Sequence, residues 1–150
     1  MVIKIGGSDS GLSGPIVFTC QGKGQVSAGS WLELGLRNFT GFADYESTVT
    51  ISDLPGTAFL DLGKVLHMAE VWVNDEKAGE RLWPPFQFEI KNLLKKGENK
   101  IRVRIGNLMV NAMGIKDDLG TLRHWGWSGA PQDSDFDAGL FGPVRIKYFK

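Results

Sequence analysis

Hydrophobic and polar residues alternate with a period of two over most of this chain. The clearest run is 45–51, in which positions 45, 49 and 51 are apolar and the residues between them are polar. Such alternation is typical of a β-strand with one buried and one solvated face. Five further runs show the same pattern, at 58–62, 69–73, 86–90, 101–105 and 144–148. Weaker candidates at 16–20 and 31–36 bring the predicted total to about eight, as in a two-sheet jelly roll.

The segments between these runs have the composition of tight turns. Residues 52–56 and 74–77 contain Asp, Asn, Pro and Gly, and residues 92–97 fit one helical turn stopped by Gly97. No stretch predicts a long helix, so we expect an all-β antiparallel sandwich forming one domain over 1–150, with 1–13 as a loose entry segment. The predicted inward-facing residues are Val71, Val73, Phe86, Phe88, Ile101 and Val103.

Charge and length exclude several classes of protein. The 150 residues include 17 basic and 17 acidic side chains, so no net field attracts nucleic acid or an anionic membrane, and we expect neither partner. Cys20 is the single cysteine, which excludes an internal disulfide. The first residues lack the apolar stretch of a signal peptide. The chain is also shorter than the roughly 200 residues that a (β/α)₈ barrel needs.

No motif predicts catalysis by this chain alone. The sequence around Ser128 resembles a nucleophile elbow, but its second glycine falls one position early. His67 and His124 have no partner at metal-ligand spacing. Glu70 and Glu89 lie on the polar faces of strands and could be close enough in space to form a catalytic carboxylate pair. Nothing in the sequence indicates that either carboxylate is desolvated, as a catalytic acid would be. We therefore expect no enzymatic activity and no cofactor.

Two charged groups have alternative interpretations. Asp133, Asp135 and Asp137 resemble the start of a calcium loop, but the glycine and the twelfth ligand are misplaced, and a solvated acidic loop is the preferred interpretation. Basic residues on two strands, if they share a sheet face, would form a stripe suited to acidic sugars. Pairing with acidic side chains on neighbouring strands is preferred. These basic residues are Lys100, Arg102, Arg104, Arg145 and Lys147, and the acidic ones are Glu46, Asp61, Glu70 and Glu89.

The aromatic residues give the main indication of a binding site. Residues 111–138 form a long stretch without alternation, and such stretches in compact domains are often functional. Arg123, His124, Trp125 and Trp127 lie within it, and indole faces with polar neighbours are typical of saccharide sites. Predicted hydroxyl partners are Asn107, Asn111 and Asp135. Trp72 and Trp83 are alternative platforms, although we expect Trp83 to cap the core.

An ordered series of motifs resembles a known family. The motifs are Leu-Asp-Leu-Gly-Lys-Val at 60–65, Ala-Glu-Val-Trp-Val-Asn at 69–74, Ala-Gly at 78–79, Trp-Pro-Pro-Phe at 83–86, Lys-Gly-Glu-Asn at 96–99 and Gly-Leu-Phe-Gly-Pro-Val at 139–144. The series is similar to the galactose-binding-like, sugar-binding β-sandwich domain of β-galactosidase and β-glucuronidase type hydrolases, and especially to the version in α-L-rhamnosidases. The resemblance covers about 31–150, or 14–150 if Gly-Pro-Ile-Val-Phe at 14–18 corresponds to the first strand of that domain, and Asn107 and Asn111 match asparagines of that domain.

The resemblance implies two alternative functions. The first is a non-catalytic carbohydrate-binding module of, or associated with, a plant-polysaccharide-degrading glycoside hydrolase, with an oligo- or polysaccharide as partner. The second is a structural domain that packs on the catalytic barrel without its own sugar affinity. The family's catalytic glutamates belong to a barrel that this chain does not contain. The resemblance also implies a periplasmic or secreted parent enzyme.

Overall fold

The computed structural model describes residues 27–37, 39–108, 111 and 137–149. These residues form ten strands and a single 3-10 turn at Lys91–Leu93. The strands are β1 (Gly29–Ser30), β2 (Phe42–Ile51), β3 (Thr57–Asp61), β4 (Lys64–Leu66), β5 (Met68–Val73), β6 (Glu76–Arg81), β7 (Gln87–Glu89), β8 (Gly97–Gly106), β9 (Gly139–Gly142) and β10 (Arg145–Phe149).

The strands form three antiparallel sheets. The largest has the order β2-β8-β5-β6, the second has the order β10-β3-β7, and a short third sheet has the order β1-β9-β4. The longest pairing joins β2 to β8 over ten residues, from Phe42 opposite Gly106 to Ile51 opposite Gly97. The prediction of an antiparallel all-β sandwich is confirmed. A jelly-roll order of the strands stays a prediction.

Alternating burial along the strands explains this architecture. In β5, Ala69, Val71 and Val73 are fully buried, whereas Glu70 and Trp72 point to the other face and are half-buried. All six residues predicted to face inward are buried, and they belong to one hydrophobic cluster that also includes Val65 and Leu140 of the short sheet. Apolar side chains from all three sheets therefore share one core, which fixes the sheets relative to each other.

A two-residue turn between β5 and β6 fixes the register of that hairpin. Asn74 and Asp75 have φ angles of 52° and 69°, and Val73 pairs with Glu76 across them. Two successive positive φ angles are typical of a type I′ hairpin, in which asparagine and aspartate are tolerated. The predicted turn is confirmed, with Asp75 taking a conformation that glycine would adopt more readily.

The strand predicted at 31–36 is wrong, because these residues form consecutive turns. The N–H of Leu36 donates to the carbonyl of Trp31 at 2.8 Å, and Gly35 has a φ of 77°. The Ser30 hydroxyl accepts the N–H of Leu32, a local bond that competes with strand pairing. Trp31 is nevertheless buried, and its indole N–H donates to the Tyr45 hydroxyl at 2.7 Å.

Strands β1, β4, β6 and β9 were not predicted by the alternation. β6 carries four charged residues on an edge and lacks an apolar face, while β1, β4 and β9 have two to four residues each. The predicted strand at 16–20 lies outside the described residues. Alternation identifies only strands that are long enough to show a period and that have one face on the core.

Two glycines of the recognised motifs are required where two chain segments meet. Gly63 has a φ of 65°, and a Cβ atom there would lie 2.3 Å from the carbonyl oxygen of Gly142. Gly142 also has a positive φ, of 72°, and forms a parallel bridge with Gly63. Only glycine allows this approach, so these motif residues determine the fold.

Candidate functional site

Most of the predicted loop site lies outside the described residues. Arg123, His124, Trp125, Trp127 and Asp135 all fall between 112 and 136. The site that they would form therefore stays a prediction. Two of its predicted members, Asn107 and Asn111, are described, and so is Asp137, one of the three weak calcium candidates.

Asn107 fastens the chain that leads into β2. Its Oδ1 accepts the N–H of Gly41 at 2.9 Å, and its Nδ2 donates to the carbonyl of Phe39. The main-chain N–H of Asn107 also donates to the carbonyl of Gly41. We predicted Asn107 as a hydroxyl partner, but both ends of its amide are engaged with the main chain, so a sugar would have to displace these bonds.

Asn111 and Asp137 are also used within the fold. Asn111 is 1% exposed, and its Nδ2 donates to the carbonyl of Arg37 at 2.9 Å. Asp137 accepts the Ser30 hydroxyl and, at 2.9 Å, the N–H of Ala138. Asn111 is therefore placed to hold the chain before β2, and Asp137 holds β1 near the start of β9.

Trp72 lies under cations on the outer face of the four-stranded sheet. The Arg102 guanidinium is 4.1 Å from the centre of the indole ring, Arg104 is at 5.4 Å and the Lys77 ammonium is at 5.7 Å. Cations over an indole face are attracted by its quadrupole. Trp72 was predicted as an alternative platform, but its half-buried ring already has partners.

The cations of β8 pair with acidic residues. Such pairing was the interpretation preferred from the sequence over an unpaired cationic stripe. Lys100 lies 3.1 Å from Glu46, and Arg104 donates two hydrogen bonds to Asp44, at 2.8 and 2.9 Å. Arg102 lies 3.9 Å from Asp44. The Arg104 hydrogen bonds lower the pKa of Asp44 and those bonds also raise the pKa of Arg104. Each of the three positive charges therefore has a negative charge within 4 Å.

Arg145 and Lys147 do not join this row, because β10 belongs to the other large sheet. Lys147 pairs with Asp61, which also accepts the N–H of Gly63 and an N–H of Gln87. The Lys147 hydrogen bond, followed by that of Gly63, lowers the pKa of Asp61. The predicted pairing therefore occurs in this sheet as well, and a single cationic stripe across both strands is excluded.

Glu70 and Glu89 point to opposite sides of the sandwich. Glu70 is on the outer face of the four-stranded sheet, where it lies 3.0 Å from Lys77. Glu89 is on the outer face of the β10-β3-β7 sheet. Packed sheets are themselves about 10 Å apart. Glycoside hydrolysis needs two carboxyl groups about 5–10 Å apart, so these two are too distant to act together.

Residues 82–85, here called the 82–85 loop, connect β6 of one sheet to β7 of the other. The loop reads Leu-Trp-Pro-Pro, and all four residues are exposed, Leu82 by 59% and Trp83 by 70%. The expectation that Trp83 caps the core is wrong. Phe86, which follows the loop, is the buried residue, and its carbonyl accepts the N–H of Leu62 at 3.0 Å.

The sequence indicated Trp83 only as an alternative platform and did not indicate Leu82. The available signal was the pair of prolines next to an indole outside any alternating run, since such a segment has no strand face to bury. Among the described residues, Trp83 is the most exposed large apolar side chain and Leu82 lies next to it, while Phe42, Leu54 and Tyr148 are exposed elsewhere. The described polar candidates, in contrast, are engaged in internal bonds.

The described residues do not gather a metal site. Within 27–37, 39–108, 111 and 137–149, no three His, Cys, Asp or Glu side chains come together as ligands would. Asp133 and Asp135, two of the three weak calcium candidates, lie outside these ranges. In the same part of the chain, no helix has the length and apolar character needed to span a membrane.

Comparison with known proteins gives relatives among glycoside hydrolases. No protein-family model matches the sequence. A protein of Formosa agariphila assigned by name as a beta-glucuronidase is 35% identical over 83 residues, which is 53% of this chain and 7% of that protein. The chain thus spans a small part of the relative.

Solved structures give the same picture. A rhamnosidase from Novosphingobium sp. PP1Y matches with a TM-score of 0.56 and 28% identity, over 75% of this chain and 11% of that one. A beta-D-mannosidase from Dictyoglomus thermophilum matches with a TM-score of 0.55 over 79% of this chain and 17% of its own, and at 17% identity it shows the fold alone. The chain is similar to the sugar-binding β-sandwich domain of rhamnosidase and β-glucuronidase type glycoside hydrolases, as its motifs predict.

Proposed function

We propose that this chain is a non-catalytic accessory domain of a glycoside hydrolase and that it docks onto a neighbouring domain of that enzyme through the 82–85 loop. The exposure of this loop carries the proposal. Leu82 and Trp83 present large apolar side chains to solvent, and the two prolines extend the same apolar surface. A contiguous apolar surface on a soluble domain is typical of an interaction site.

The loop is built to keep its shape without a partner. Proline fixes its own φ angle, so two successive prolines leave the main chain few conformations to lose on binding. Phe86 anchors the end of the loop in the core, where it is 4% exposed. An indole held in this way has the properties of an interface hot spot, because tryptophan is enriched among the residues that dominate binding energy.

The sizes of the relatives support a neighbouring domain as the partner. The matching segment is 11% of the Novosphingobium rhamnosidase and 7% of the Formosa protein, so most of each relative consists of other structure. Of the polar residues predicted to bind sugar hydroxyls, the two that are described, Asn107 and Asn111, bond within the fold instead. An apolar loop fits a protein surface better than it fits a hydroxylated ligand.

Docking can be tested with the Novosphingobium rhamnosidase from which the matching segment has been deleted. We expect the wild-type chain to bind this protein in isothermal titration calorimetry, and Trp83→Ser to bind about 30-fold more weakly, as for a hot spot of about 2 kcal/mol. Tyr148→Ser is the matched control, because Tyr148 is a large exposed aromatic residue that lies on β10 and not in the 82–85 loop. Equal affinities of Trp83→Ser and wild type, or no complex at all, would contradict docking.

Carbohydrate binding is the second candidate, favoured by the flat, exposed face of the Trp83 indole. An indole stacked on a sugar ring contributes about 1–2 kcal/mol, or about tenfold in affinity. Affinity electrophoresis of the chain in galactan, pectin and rhamnogalacturonan gels tests this candidate. Retardation that Trp83→Ala removes would assign the platform to Trp83. Retardation that instead depends on Trp125 and Trp127, with unchanged melting temperatures of their alanine variants, would assign it to the predicted loop site.

A further inference from the structure

One end of the four-stranded sheet carries apolar residues in register on its outer face. Phe42 of β2 pairs with Gly106 of β8, and Gly106 pairs on its other side with Met68 of β5. Gly106 has no side chain, and a Cβ atom there would lie 2.8 Å from Cε1 of Phe42 and 2.9 Å from Cγ of Met68. The Phe42 and Met68 side chains therefore meet over Gly106 and form one surface across three strands.

This surface continues toward the 82–85 loop. β5 and β6 pair at Ala69 and Arg81, and β6 ends at Arg81, so the register places Leu82 level with Met68. Neighbouring strands are about 4.8 Å apart, so the distance across the sheet from β2 to β6 is about 14 Å. The residues in line across this end form an apolar row, which consists of Phe42, Gly106, Met68 and Leu82.

The apolar row is open to solvent and is bordered by paired charges. Phe42 and Leu82 are each 59% exposed, and Met68 between them is half-buried. Next to the row on the same face, Arg104 donates two hydrogen bonds to Asp44, at 2.8 and 2.9 Å. An apolar centre with a polar rim is the usual composition of a protein–protein interface.

The 82–85 loop alone is too small to hold a neighbouring domain. A stable interface buries about 800 Å² on each partner, from about 20–30 residues. Of the other large apolar side chains exposed in the described part of the chain, Leu54 lies beyond the far end of β2 and Tyr148 lies on β10 of another sheet. Phe42 and Met68, in contrast, are in line with Leu82 on one sheet face.

We propose that the apolar row is a second part of the docking surface, covered by the same neighbouring domain that binds the 82–85 loop. This inference rests on the proposed docking through that loop. The partner must then present an apolar protein surface at least about 14 Å wide, because a narrow pocket for Trp83 would leave Phe42 in water.

Titration calorimetry with the Novosphingobium rhamnosidase from which the matching segment has been deleted tests this inference. We expect Phe42→Ser to bind about tenfold more weakly than the wild-type chain, because an apolar side chain that the complex would bury is lost. Leu54→Ser is the matched control, since Leu54 is 58% exposed but lies in the turn after β2, at the opposite end of the sheet. Its affinity should equal that of the wild type.

The methyl resonance of Met68 provides a second measurement, which needs no substitution in the row. Met68 lies between Phe42 and Leu82, so its signal in a chain labelled with carbon-13 at the methionine methyl groups should shift when the partner is added. This readout keeps the inference testable if Phe42→Ser does not fold.

The outcomes separate this inference from the docking on which it rests. Weak binding of Trp83→Ser together with wild-type affinity of Phe42→Ser, or with an unshifted Met68 signal, would overturn the inference and leave docking through the loop intact. Absence of any complex with the wild-type chain would overturn both. Equal weakening in Phe42→Ser and Leu54→Ser would also overturn the inference, because the effect would not be specific to the row.

Two other occupants of the row would also contradict it. A dimer of the chain alone, seen by sedimentation velocity and lost in Phe42→Ser, would assign the row to a second copy. Retardation of the chain in galactan, pectin or rhamnogalacturonan gels that Phe42→Ser removes would assign it to a saccharide.

Discussion

The side-chain amide of Asn74 donates a 2.9 Å hydrogen bond to Oδ1 of Asn99, which is fully buried. Asn99 makes three further bonds: its Oδ1 accepts the N–H of Lys95, and its Nδ2 donates to the carbonyls of Lys95 and Gly97. Asn74 also donates to the carbonyl of Leu93. The two asparagines thus join the β5–β6 turn to the segment that precedes β8.

Asn99→Ala should lower the free energy of unfolding by about 2–4 kcal/mol. The substitution removes the partner of the Lys95 N–H, the Lys95 and Gly97 carbonyls and the Asn74 side-chain N–H, and each lost hydrogen bond contributes about 0.5–1.5 kcal/mol. Urea denaturation followed by tryptophan fluorescence measures the change. Asn92→Ala is the control, since Asn92 is exposed in the 3-10 turn and its loss should change stability by less than about 0.5 kcal/mol. Similar changes in both variants would contradict the role of Asn99.

Gly63→Ala should be much more destabilising than Gly97→Ala. Both glycines have positive φ angles, but a Cβ atom at Gly63 would lie 2.3 Å from the carbonyl oxygen of Gly142, whereas Gly97 has open space. We expect a loss of about 1–2 kcal/mol at Gly97 from backbone strain alone, and at least about 3 kcal/mol at Gly63 from strain and overlap together. Thermal denaturation measures both, and equal losses would mean that the overlap is relieved by a small shift.

The sequence predicted the long strands because their period is visible locally. Each residue of the 101–105 run has a neighbour of opposite polarity, and the run lies within β8. β6 could not be predicted in this way, because its partner on the sheet, β5, supplies the apolar face, and β6 itself is nearly all charged. Pairing between segments that are distant in sequence decides such strands.

The candidate site was predicted less well for a related physical reason. Amide side chains such as Asn107 have the same chemistry whether they bind a ligand or hold the main chain, and only the position of Phe39 and Gly41 decides between the two. Trp83 was likewise expected to cap the core, and only the path of the 82–85 loop places it in solvent. Sequence supplied the residue types, and tertiary contacts assigned their roles.

Trp83→Ala should leave stability nearly unchanged, whereas Phe86→Ala should lower it by about 3–5 kcal/mol. Trp83 is mostly exposed, and Phe86 is 4% exposed and belongs to the core, where truncation of an aromatic ring leaves a cavity. Differential scanning calorimetry of the two variants makes the comparison. A loss of several kcal/mol in Trp83→Ala would mean that the indole packs on the domain itself and does not await a partner.

Asp61 should contribute to stability above pH 4 and lose that contribution in acid. Its pKa is lowered from 3.8, chiefly by the Lys147 hydrogen bond. A carboxyl group with a lowered folded-state pKa stabilises the fold above its unfolded pKa, and the stabilisation disappears as pH falls through the folded-state value. At pH 7, Asp61→Asn should be less stable by about 1 kcal/mol, and this difference should shrink below about pH 4.

Urea midpoints measured between pH 2 and pH 7 test this expectation. Asp53→Asn serves as the control, because the side chain of Asp53 is 93% exposed and its ion pair with Lys96 is a long 3.6 Å. A difference between wild type and Asp61→Asn that stays constant over the whole range would show that the loss comes from packing or from neutral hydrogen bonds.

The isolated chain should not hydrolyse aryl glycosides. Glu70 and Glu89 face opposite sides of the sandwich, and Glu70 is committed to Lys77 at 3.0 Å. Release of nitrophenol from rhamnoside and glucuronide substrates should therefore equal the rate without protein. Turnover that copurifies with the chain and disappears in Glu70→Gln would refute this expectation.

The path of the 82–85 loop has a mechanical consequence. The loop leaves β6 of one sheet and enters β7 of the other, so a force applied by a partner bound to Trp83 would act on both sheets at once. Separation of the two sheets at this point would first have to remove Phe86 from the hydrophobic core. A load arriving at this loop would be divided across the sandwich, which would let the domain serve as a stiff spacer rather than a loose appendage.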